Sequence, residues 1–460
     1  MKLSYLFPIA LLTAVCVPFL TAQDPLIKEI ITIGDQARIA IPDFRGKGAA
    51  QPLMNIFNET VWNDVADAGV LDMVAKTNYP LDVPQSPADL RPPSVINGQT
   101  VSNGMWLTDW SREPVRTNYL GIGNIDVNGT DLVLRGSLLN VGLADLRTAQ
   151  VFGNRVYFGT LTEDGARKVA HEYAADILKQ VGAVSLAGTK IYFVSDRSGA
   201  REIWSMDHDG QNQQRMTSHG TISKTPTVSP DGKLAAYTTM TKGENAGWQI
   251  RVIDTVTRRP RTFVNPVSST IATPDFSPDG TKLWFSMVVN DWTQLAVSNI
   301  DGGNRQRISH VTAIETSPRV NPKNPEEVLF ISGRTGKPQL YKMRADGTGV
   351  EMITTGEGDV ANPSWSPDGR KVAFSWTRGY VPGNFNIFIL DVKTKQFAQL
   401  TKENGSNENP FWAPDGVHLV YSNQQGNRTE IYSMLANGTR VKQLTSAGNN
   451  MQPVWAARVE

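Results

Sequence analysis

The chain has 460 residues, 40% of them apolar, which is enough to bury a large hydrophobic core. Its 45 lysines and arginines nearly balance 44 aspartates and glutamates, for a net charge of +1. This balance leaves no excess of either sign to drive binding to nucleic acid or to an anionic membrane. The 39 glycines and 27 prolines are typical of a turn-rich globular protein, so the composition excludes a disordered chain, a collagen and a multi-span membrane protein.

The first 22 residues have the pattern of an export signal. Lys2 supplies a positive charge, an apolar stretch follows over residues 3–20, and Ala22 is a small residue before a polar start. Residues 1–22 are therefore predicted to be a cleaved signal peptide, and the remaining chain to be exported with no membrane span. Two alternatives stay open: a lipid on Cys16, the single cysteine, or an uncleaved anchor of about the spanning length.

A repeat of about 45 residues dominates the chain after residue 185. Ser-Pro-Asp-Gly begins at Ser229, Ser277 and Ser366, and a near copy begins at Ala413. With degenerate copies at 185 and 321, successive starts lie 44, 48, 44, 45 and 47 residues apart. Because proline at the second position and glycine at the fourth are turn residues, the motif predicts a turn between two strands and not a catalytic loop.

Each repeat also has one apolar run before its turn and three after it. This pattern predicts four short strands, which is the unit of a propeller blade. The sixth pre-turn strand, over residues 452–456, has no turn after it, and the first repeat lacks such a strand. We therefore predict an all-β, six-bladed propeller over residues 183–460, in which the C-terminal strand completes the first blade.

The region before the repeats is predicted to be an α/β domain over residues 23–165. A strand over residues 38–44 is followed by apolar residues at helical spacing over 53–65 and by a short strand over 71–74. Residues 78–118 are rich in proline and are expected to form a long irregular crossing. Further strands are predicted near residues 131–139, 147–152 and 155–160, and a helix over 166–182 connects to the propeller.

Motifs of common enzymes are missing from the sequence. It contains no Gly-x-Ser-x-Gly and no phosphate-binding loop. The five histidines are scattered, which argues against a histidine metal site, and His171 is expected to be a surface or domain-contact residue. Asp207-His208-Asp209-Gly210 is similar to a calcium loop, but Ser218 replaces the final glutamate, so we interpret it as a strand-to-strand turn. No catalytic residue, metal ligand or cofactor is therefore predicted.

These features together resemble the TolB family, the periplasmic propeller proteins of Tol-Pal systems. The resemblance rests on the export signal, the helix with Arg167-Lys168-Val169-Ala170-His171 and Ala175-Asp176, and the Pro-x-Trp/Phe-Ser-Pro-Asp-Gly repeats. It is strongest after residue 134 and fades over residues 73–129. It implies a non-enzymatic scaffold of the periplasm, expected to be a monomer. The scaffold would join a TolA-like inner-membrane protein to a Pal-like peptidoglycan-associated lipoprotein and support outer-membrane integrity and cell division.

A rim of polar residues is the first predicted partner-binding region. By analogy with propellers of this strand order, the residue before the proline of each innermost strand lies at one face. A residue before proline is expected to be extended, and a strand start near solvent favours polar side chains, so part of the pattern has a purely structural explanation. The functional hypothesis adds a Pal-like contact here, with Glu315 and Glu408 just upstream. The six rim residues are Thr225, Thr273, Ser317, Asn362, Asn409 and Gln452.

The segment after the signal peptide is the second predicted region. It is largely apolar, and it is either an edge strand of the α/β domain or a strand that adds to a partner's sheet. The resemblance implies that it binds the TolA-like protein. Its candidate residues are Asp24, Pro25, Leu26, Ile27, Ile30 and Ile31. The alternative to the scaffold hypothesis is an exported hydrolase or carbohydrate-binding protein with its site in the propeller channel.

Overall fold

A computed structural model describes residues 36–459, except 98, 102–104, 144, 244–245, 268–269, 379–382 and 403–404. The predicted signal peptide, Cys16 and the segment over residues 24–31 lie outside the described residues. Within the described ranges, no helix has the length and apolar character needed to cross a membrane. The predicted fold class, an α/β domain followed by a six-bladed propeller, is confirmed.

A mixed sheet forms the centre of the N-terminal domain. The strands of this domain are β1 (Arg38–Ala40), β2 (Arg45–Gly46), β3 (Asp72–Met73), β4 (Ser94–Ile96), β5 (Gln99–Val101), β6 (Tyr119–Asn128), β7 (Asp131–Asn140) and β8 (Gln150–Thr160). The sheet has the order β3-β1-β6-β7-β8, and β2 also pairs with β6. The strand β1 runs parallel to β3 and β6, whereas β6, β7 and β8 are antiparallel. A separate hairpin is formed by β4 and β5.

Two long helices cover one face of this sheet. The helices are α1 (Met54–Asp67), α2 (Leu107–Ser111), α3 (Leu146–Ala149) and α4 (Glu163–Gln180), with 3-10 turns at Gly48–Leu53, Lys76–Asn78 and Pro87–Asp89. The helices α1 and α4 contact each other and share a core with the sheet, in which Phe57 and Tyr173 are fully buried. The side chain of Thr162 accepts a hydrogen bond from the N–H of Gly165, so α4 begins three residues before its predicted start.

The proline-rich segment covers the opposite face of the sheet. Neighbouring strand residues point to opposite sides, and Leu138 joins the core beneath the long helices while Leu139 joins a second core. In this second core the fully buried Trp110 of α2 packs with Leu107 and Val115. The segment therefore has more regular structure than the sequence predicted, because α2, the β4–β5 hairpin and the 3-10 turn Pro87–Asp89 lie within it.

Six antiparallel sheets of four strands each form the propeller. Blade 1 contains β9 (Lys190–Ser195), β10 (Glu202–Asp207) and β11 (Gln214–Arg215), and blade 2 contains β12 (Ser223–Val228), β13 (Leu234–Thr241), β14 (Gly247–Asp254) and β15 (Pro260–Arg261). Blade 3 contains β16 (Ile271–Phe276), β17 (Lys282–Val289), β18 (Trp292–Asn299) and β19 (Gln306–Arg307), and blade 4 contains β20 (Glu315–Asn321), β21 (Asn324–Ser332), β22 (Gln339–Arg344) and β23 (Glu351–Met352). Blade 5 contains β24 (Val360–Trp365), β25 (Lys371–Trp376), β26 (Asn386–Asp391) and β27 (Phe397–Gln399), and blade 6 contains β28 (Ser406–Trp412), β29 (His418–Gln425), β30 (Arg428–Leu435) and β31 (Lys442–Gln443).

The strand β32 (Asn450–Ala456) closes the ring. It pairs antiparallel with β9, so blade 1 takes its innermost strand from the end of the described chain. The innermost strands of neighbouring blades contact each other around the ring, including β12 with β32. At the seam, Nε1 of Trp455 donates a hydrogen bond to Oγ1 of Thr189 (2.9 Å).

Candidate functional site

The six predicted rim residues converge on one concavity. Each of them lies in the innermost strand of a different blade, and all six side chains are half-buried. The prolines that follow them are buried. We call this concavity the mouth. It is lined by Thr225, Thr273, Ser317, Asn362, Asn409 and Gln452, together with Arg319, Phe411, Val454 and four of the prolines.

The backbone of the mouth residues differs from the predicted extended conformation. Their φ angles lie between 50° and 56°, in the left-handed region. The reason is a bulge, because the register of each innermost strand shifts around the mouth residue and its proline, as between Lys224 and Thr227. Proline has no N–H to offer the ladder. Left-handed backbone is unfavourable for β-branched residues such as Thr225 and Thr273, so the surrounding ring must hold them there.

Hydrogen bonds connect mouth residues of neighbouring blades. The N–H of Thr225 donates to Oε1 of Gln452 (2.7 Å), which joins blades 2 and 1. The N–H of Ser317 donates to Oγ1 of Thr273 (3.2 Å), which joins blades 4 and 3. The mouth is therefore a pre-formed polar ring. Some of its side chains already accept hydrogen bonds from the backbone of a neighbouring blade, so they are not all free to bind solvent or a partner.

Glu315 is not part of the mouth, so this prediction was wrong. Its side chain is fully buried, pairs with Arg334 and accepts a hydrogen bond from Oγ of Ser332 (3.0 Å). Glu315 lies two positions before Ser317, where every blade has a buried residue, and the bulge between Thr316 and Arg319 breaks the regular alternation that would place both on one side. The prediction chose charges by their nearness in sequence and did not take this bulge into account.

Glu408 does lie beside the mouth, one position before Asn409. It is half-buried and lines a second cavity between blades 6 and 1, which shares Asn409 and Gln452 with the mouth. Oγ of Ser406 donates a hydrogen bond to its carboxylate (3.0 Å), and Arg201 brings a positive charge to the same cavity. The mouth thus continues into a polar groove that contains one charge of each sign.

An ion pair between blades 3 and 4 was missed by the sequence analysis. Arg319 lies 2.8 Å from Asp275, with side chains 20% and 14% exposed, and its Nε donates to the backbone oxygen of Pro363 (3.1 Å). Burial raises the pKa of Asp275, although the charge of Arg319 opposes this effect. A signal was available, because these are the only charged residues that follow the proline in the six innermost strands.

A cluster of histidine and aspartate lies where the N-terminal domain meets the propeller. Nδ1 of His171 on α4 is 2.6 Å from Oδ2 of Asp64 on α1, and Nε2 of His208 in the β10–β11 turn is 3.5 Å from Oδ1 of the same carboxylate. Burial raises the pKa of Asp64, but hydrogen bonds with both histidines outweigh it and lower the pKa to about 2. These residues are far apart in sequence, and only the fold brings them together.

Further polar contacts join the same two domains. Nε2 of His418 lies 2.9 Å from the backbone oxygen of Asp67 in α1, and its Nδ1 bonds to the carboxylate of Asp415. Burial lowers the pKa of His418, but the hydrogen bond and charge of Asp415 raise it above its usual range, and the pKa of Asp415 is lowered. Nζ of Lys442 also lies 3.1 Å from Oδ2 of Asp67. We call this set of contacts, together with the cluster at Asp64, the junction.

A protein-family model matches the propeller region of the chain. The model described as the TolB beta propeller domain matches residues 182–378 and 351–460, which together span all six blades. The chain belongs to the TolB family. The resemblance inferred from the repeats and the preceding helix is thereby confirmed.

Individual TolB relatives agree with this assignment. The chain is 30% identical over 286 residues to a TolB homologue of Chlorobium luteolum, covering 60% of this chain and 53% of the relative. It is 28% identical over 288 residues to a TolB homologue of Chlorobium chlorochromatii, covering 62% and 52%. The chain thus spans about half the length of the curated relatives it matches. It shares its fold with the crystal structure of TolB from Acinetobacter baumannii, with a TM-score of 0.72 and 21% identity over 92% of this chain and 97% of that chain.

Proposed function

We propose that this TolB-family protein is a non-enzymatic, monomeric scaffold of the periplasm. It joins a Pal-like peptidoglycan-associated lipoprotein to a TolA-like inner-membrane protein, and in this way it supports outer-membrane integrity and cell division. The observation that carries the proposal is the mouth, where six blades contribute one polar residue each to a single concavity. Because hydrogen bonds already hold this ring, its residues lose little conformational freedom on binding, which favours the insertion of a partner's loop.

The mouth is the proposed contact for the Pal-like lipoprotein. Its residues are neutral apart from Arg319, whose charge is paired with Asp275, and the adjoining groove adds only Arg201 and Glu408. Electrostatic steering at such a surface is weak, so association should depend little on salt. Affinity would come instead from hydrogen bonds and burial at the centre of the concavity.

Two asparagines offer the clearest test of the mouth. Nδ2 of Asn409 donates to Oγ of Ser422 in its own blade (3.2 Å), so replacing it and Asn362 leaves the bonds at Thr225 and Ser317 in place. The double variant Asn362→Arg, Asn409→Arg should weaken binding of the purified Pal-like lipoprotein domain by about 2 kcal/mol or more, roughly 30-fold, in titration calorimetry.

A matched control is available in exposed asparagines that also have positive φ. Asn154 and Asn304 have φ of 50° and 48° and lie away from the mouth, so Asn154→Arg, Asn304→Arg adds the same charge in the same backbone conformation. This control should bind as the wild type does. Wild-type affinity in the mouth variant, with an unchanged melting temperature, would place the binding surface elsewhere, for example on the N-terminal domain.

The TolA-like partner is proposed to bind the segment that contains Asp24, Pro25, Leu26, Ile27, Ile30 and Ile31. An apolar segment of this length can add as a strand to the edge of a partner's sheet, where main-chain hydrogen bonds supply affinity. Deleting residues 23–33 should abolish binding of the TolA-like protein and leave both the melting temperature and the Pal-like interaction unchanged. Retained TolA-like binding would contradict this half of the proposal and leave the mouth hypothesis intact.

A further inference from the structure

We propose that Asp64, His171 and His208 bind one Zn²⁺ ion at the junction of the N-terminal domain and the propeller. The three residues come from α1, from α4 and from the turn after β10, so one ion would connect the two long helices of the N-terminal domain to blade 1. One carboxylate and two imidazoles are among the donor sets in which proteins hold Zn²⁺.

The spacing of the donor atoms suits such an ion. One donor atom from each residue lies within 4.8 Å of the other two. In a tetrahedral zinc site with bonds of about 2.0–2.1 Å, neighbouring donor atoms lie roughly 3.4 Å apart. Nε2 of His208 and Oδ1 of Asp64 are 3.5 Å apart, which already matches this spacing. The hydrogen-bonded atoms of His171 and Asp64, at 2.6 Å, would have to separate by several tenths of an ångström.

The surroundings of the cluster favour a cation. Oδ2 of Asp209 lies 3.9 Å from Nε2 of His171 and supplies a second carboxylate beside the histidines. Within the described residues, neither Asp64 nor Asp209 forms an ion pair with a lysine or an arginine. Two carboxylates therefore face the two imidazoles without a competing side-chain cation at ion-pair distance.

The imidazole of His208 gives an independent reason to look for a ligand. Its Nδ1 is buried and has no hydrogen-bond partner in the part of the chain that the structure describes. Its Nε2 has only the contact with Asp64 at 3.5 Å, which is long for a hydrogen bond. Burying an imidazole with so few hydrogen bonds costs free energy. A bond from Nε2 to a metal ion would replace the long contact with Asp64 by a strong one and would offset part of this cost, while Nδ1 keeps no partner among the described residues.

The cluster can also be reached from solvent. Asp64, His208 and Asp209 line a cavity between the two domains, whose lining also includes Leu186 and Trp455. The side chains of the three proposed ligands are 10–14% exposed, so an ion could enter without unfolding of either domain. An ion bound here would stiffen the connection between the domains and lies apart from the mouth, because none of the mouth residues lines this cavity.

Metal binding is tested on the untagged full chain after treatment with a chelator, because a histidine tag would itself bind Zn²⁺. Calorimetric titration with Zn²⁺ and elemental analysis should give one ion per chain with a dissociation constant in the micromolar range or tighter. Substitution with Co²⁺ should give a saturable visible absorption typical of tetrahedral coordination. Absence of saturable Zn²⁺ binding and of the Co²⁺ band in the wild type overturns the proposal, whatever the variants do.

Variants then assign the ligands. His208→Ala and Asp64→Asn should each weaken Zn²⁺ binding at least tenfold, whereas His310→Ala, which removes an exposed histidine outside the cluster, should bind as the wild type does. His208 lies in a turn, so its replacement should leave the chelated protein folded, as checked by circular dichroism. Equal affinity in His208→Ala, Asp64→Asn and His310→Ala would show that the ion binds at another place and would refute this assignment.

Discussion

The mouth and the junction are built on opposite principles. The mouth takes one residue from each blade at the same repeat position, and its hydrogen bonds join neutral side chains to neighbouring backbone. The junction takes residues from unrelated positions, and its contacts join aspartates to histidines and a lysine. Neutral contacts within a ring should tolerate changes in pH and salt, whereas charged contacts between domains should respond to both.

This difference fits the two roles proposed for these regions. The repeat symmetry of the mouth gives a concave surface that is independent of the N-terminal domain, which suits a constant binding site. The contacts of the junction hold the N-terminal domain against the propeller. A change of pH or salt that alters the charges of these contacts should therefore alter how firmly the two domains are held together. Variants at four positions, taken from the largest expected effect to the smallest, test whether the mouth and the junction differ in this way.

The largest effect is expected at the ion pair beside the mouth. Arg319→Ala should lower the free energy of unfolding of the propeller by about 3–5 kcal/mol, because Asp275 is left mostly buried without its partner. Denaturant unfolding measures the change, and Arg319→Met with Asp275→Leu should recover part of it. Arg378→Ala, which removes an exposed pair with Glu357, is the control and should cost less than about 1 kcal/mol. If Arg319→Ala and Arg378→Ala lowered the free energy of unfolding by similar amounts, the ion pair between Arg319 and Asp275 would contribute little to the stability of the ring.

A pH-dependent effect is expected at the junction. His418 has a raised pKa in the folded protein, so its contribution is complete below the unfolded value of about 6.5 and is lost as the pH rises through the folded pKa. Asp415 has a lowered pKa, so its contribution is complete above about pH 4 and is lost as the pH falls through its folded pKa. His418→Gln should therefore cost about 1–2 kcal/mol between about pH 4 and 6.5, and less near pH 9. The measurement is the difference in unfolding free energy from the wild type across this pH range, in zinc-free buffer.

The control for this pH effect is His310→Gln, which changes an exposed histidine. The groups that face His418 are Asp415, the backbone and carboxylate of Asp67, and the ring of Trp455. A difference between His418→Gln and the wild type that does not vary with pH would show that packing, and not charge, holds this contact.

A reversal of the usual glycine penalty is expected at the mouth. Ser317 has a φ of 53°, and its backbone N–H makes the bond to Thr273, so replacing its side chain keeps that bond. Ser317→Gly should be more stable than Ser317→Ala by about 1 kcal/mol, because glycine adopts this backbone without strain. In an ordinary strand alanine is the more stable of the two. Thermal unfolding of both variants decides the sign, and alanine proving the more stable would mean that the mouth is not strained.

The smallest effect is expected at the exposed edge of the junction. Lys442 and Asp67 have side chains 38% and 47% exposed, so Lys442→Ala should cost no more than about 0.5 kcal/mol at low salt. Even this loss should disappear at about 0.5 M salt, whereas the effect of Arg319→Ala should persist because that pair is shielded from solvent. A salt-independent loss in Lys442→Ala would contradict the division between a charged junction and a neutral mouth.

Much of the fold could be predicted because the propeller repeats its own pattern. Turn residues at fixed spacing predicted the blades, because the backbone of each turn favours proline and glycine at the same positions. The strand β6, over Tyr119–Asn128, was missed because it contains Gly121 and Gly123, which are unusual in strands. A Cβ at Gly123 would lie 2.5 Å from the ring of Phe44, and one at Gly121 would lie 2.8 Å from Oη of Tyr173. Glycine is required there by tertiary packing, which local sequence does not report.

The candidate sites, too, could be predicted only in part. The position of the mouth followed from the repeat, but the bulge and the left-handed backbone did not, because they depend on how each strand pairs with its neighbour. Glu315 was misplaced for a related reason, since the bulge between Thr316 and Arg319 separates its side from that of Ser317. Of the junction, only a domain contact at His171 was among the expectations, because Asp64, His171 and His208 have no spacing in common and meet only after both domains have folded.

The pairing of β9 with β32 also has a consequence for how the protein folds. Thr189 and Trp455, which meet at this seam, are 266 residues apart in sequence, so closing the ring carries a large loop-closure entropy and should be slow. Until β32 pairs with it, β9 has one unpaired edge, and most of its residues are ones that become buried in the closed ring. Such an edge is a template for wrong pairing with other chains. A chaperone that shields this edge until the ring closes would therefore raise the yield of closed rings, and a synthetic peptide of residues 450–456 would compete with the last step of closure.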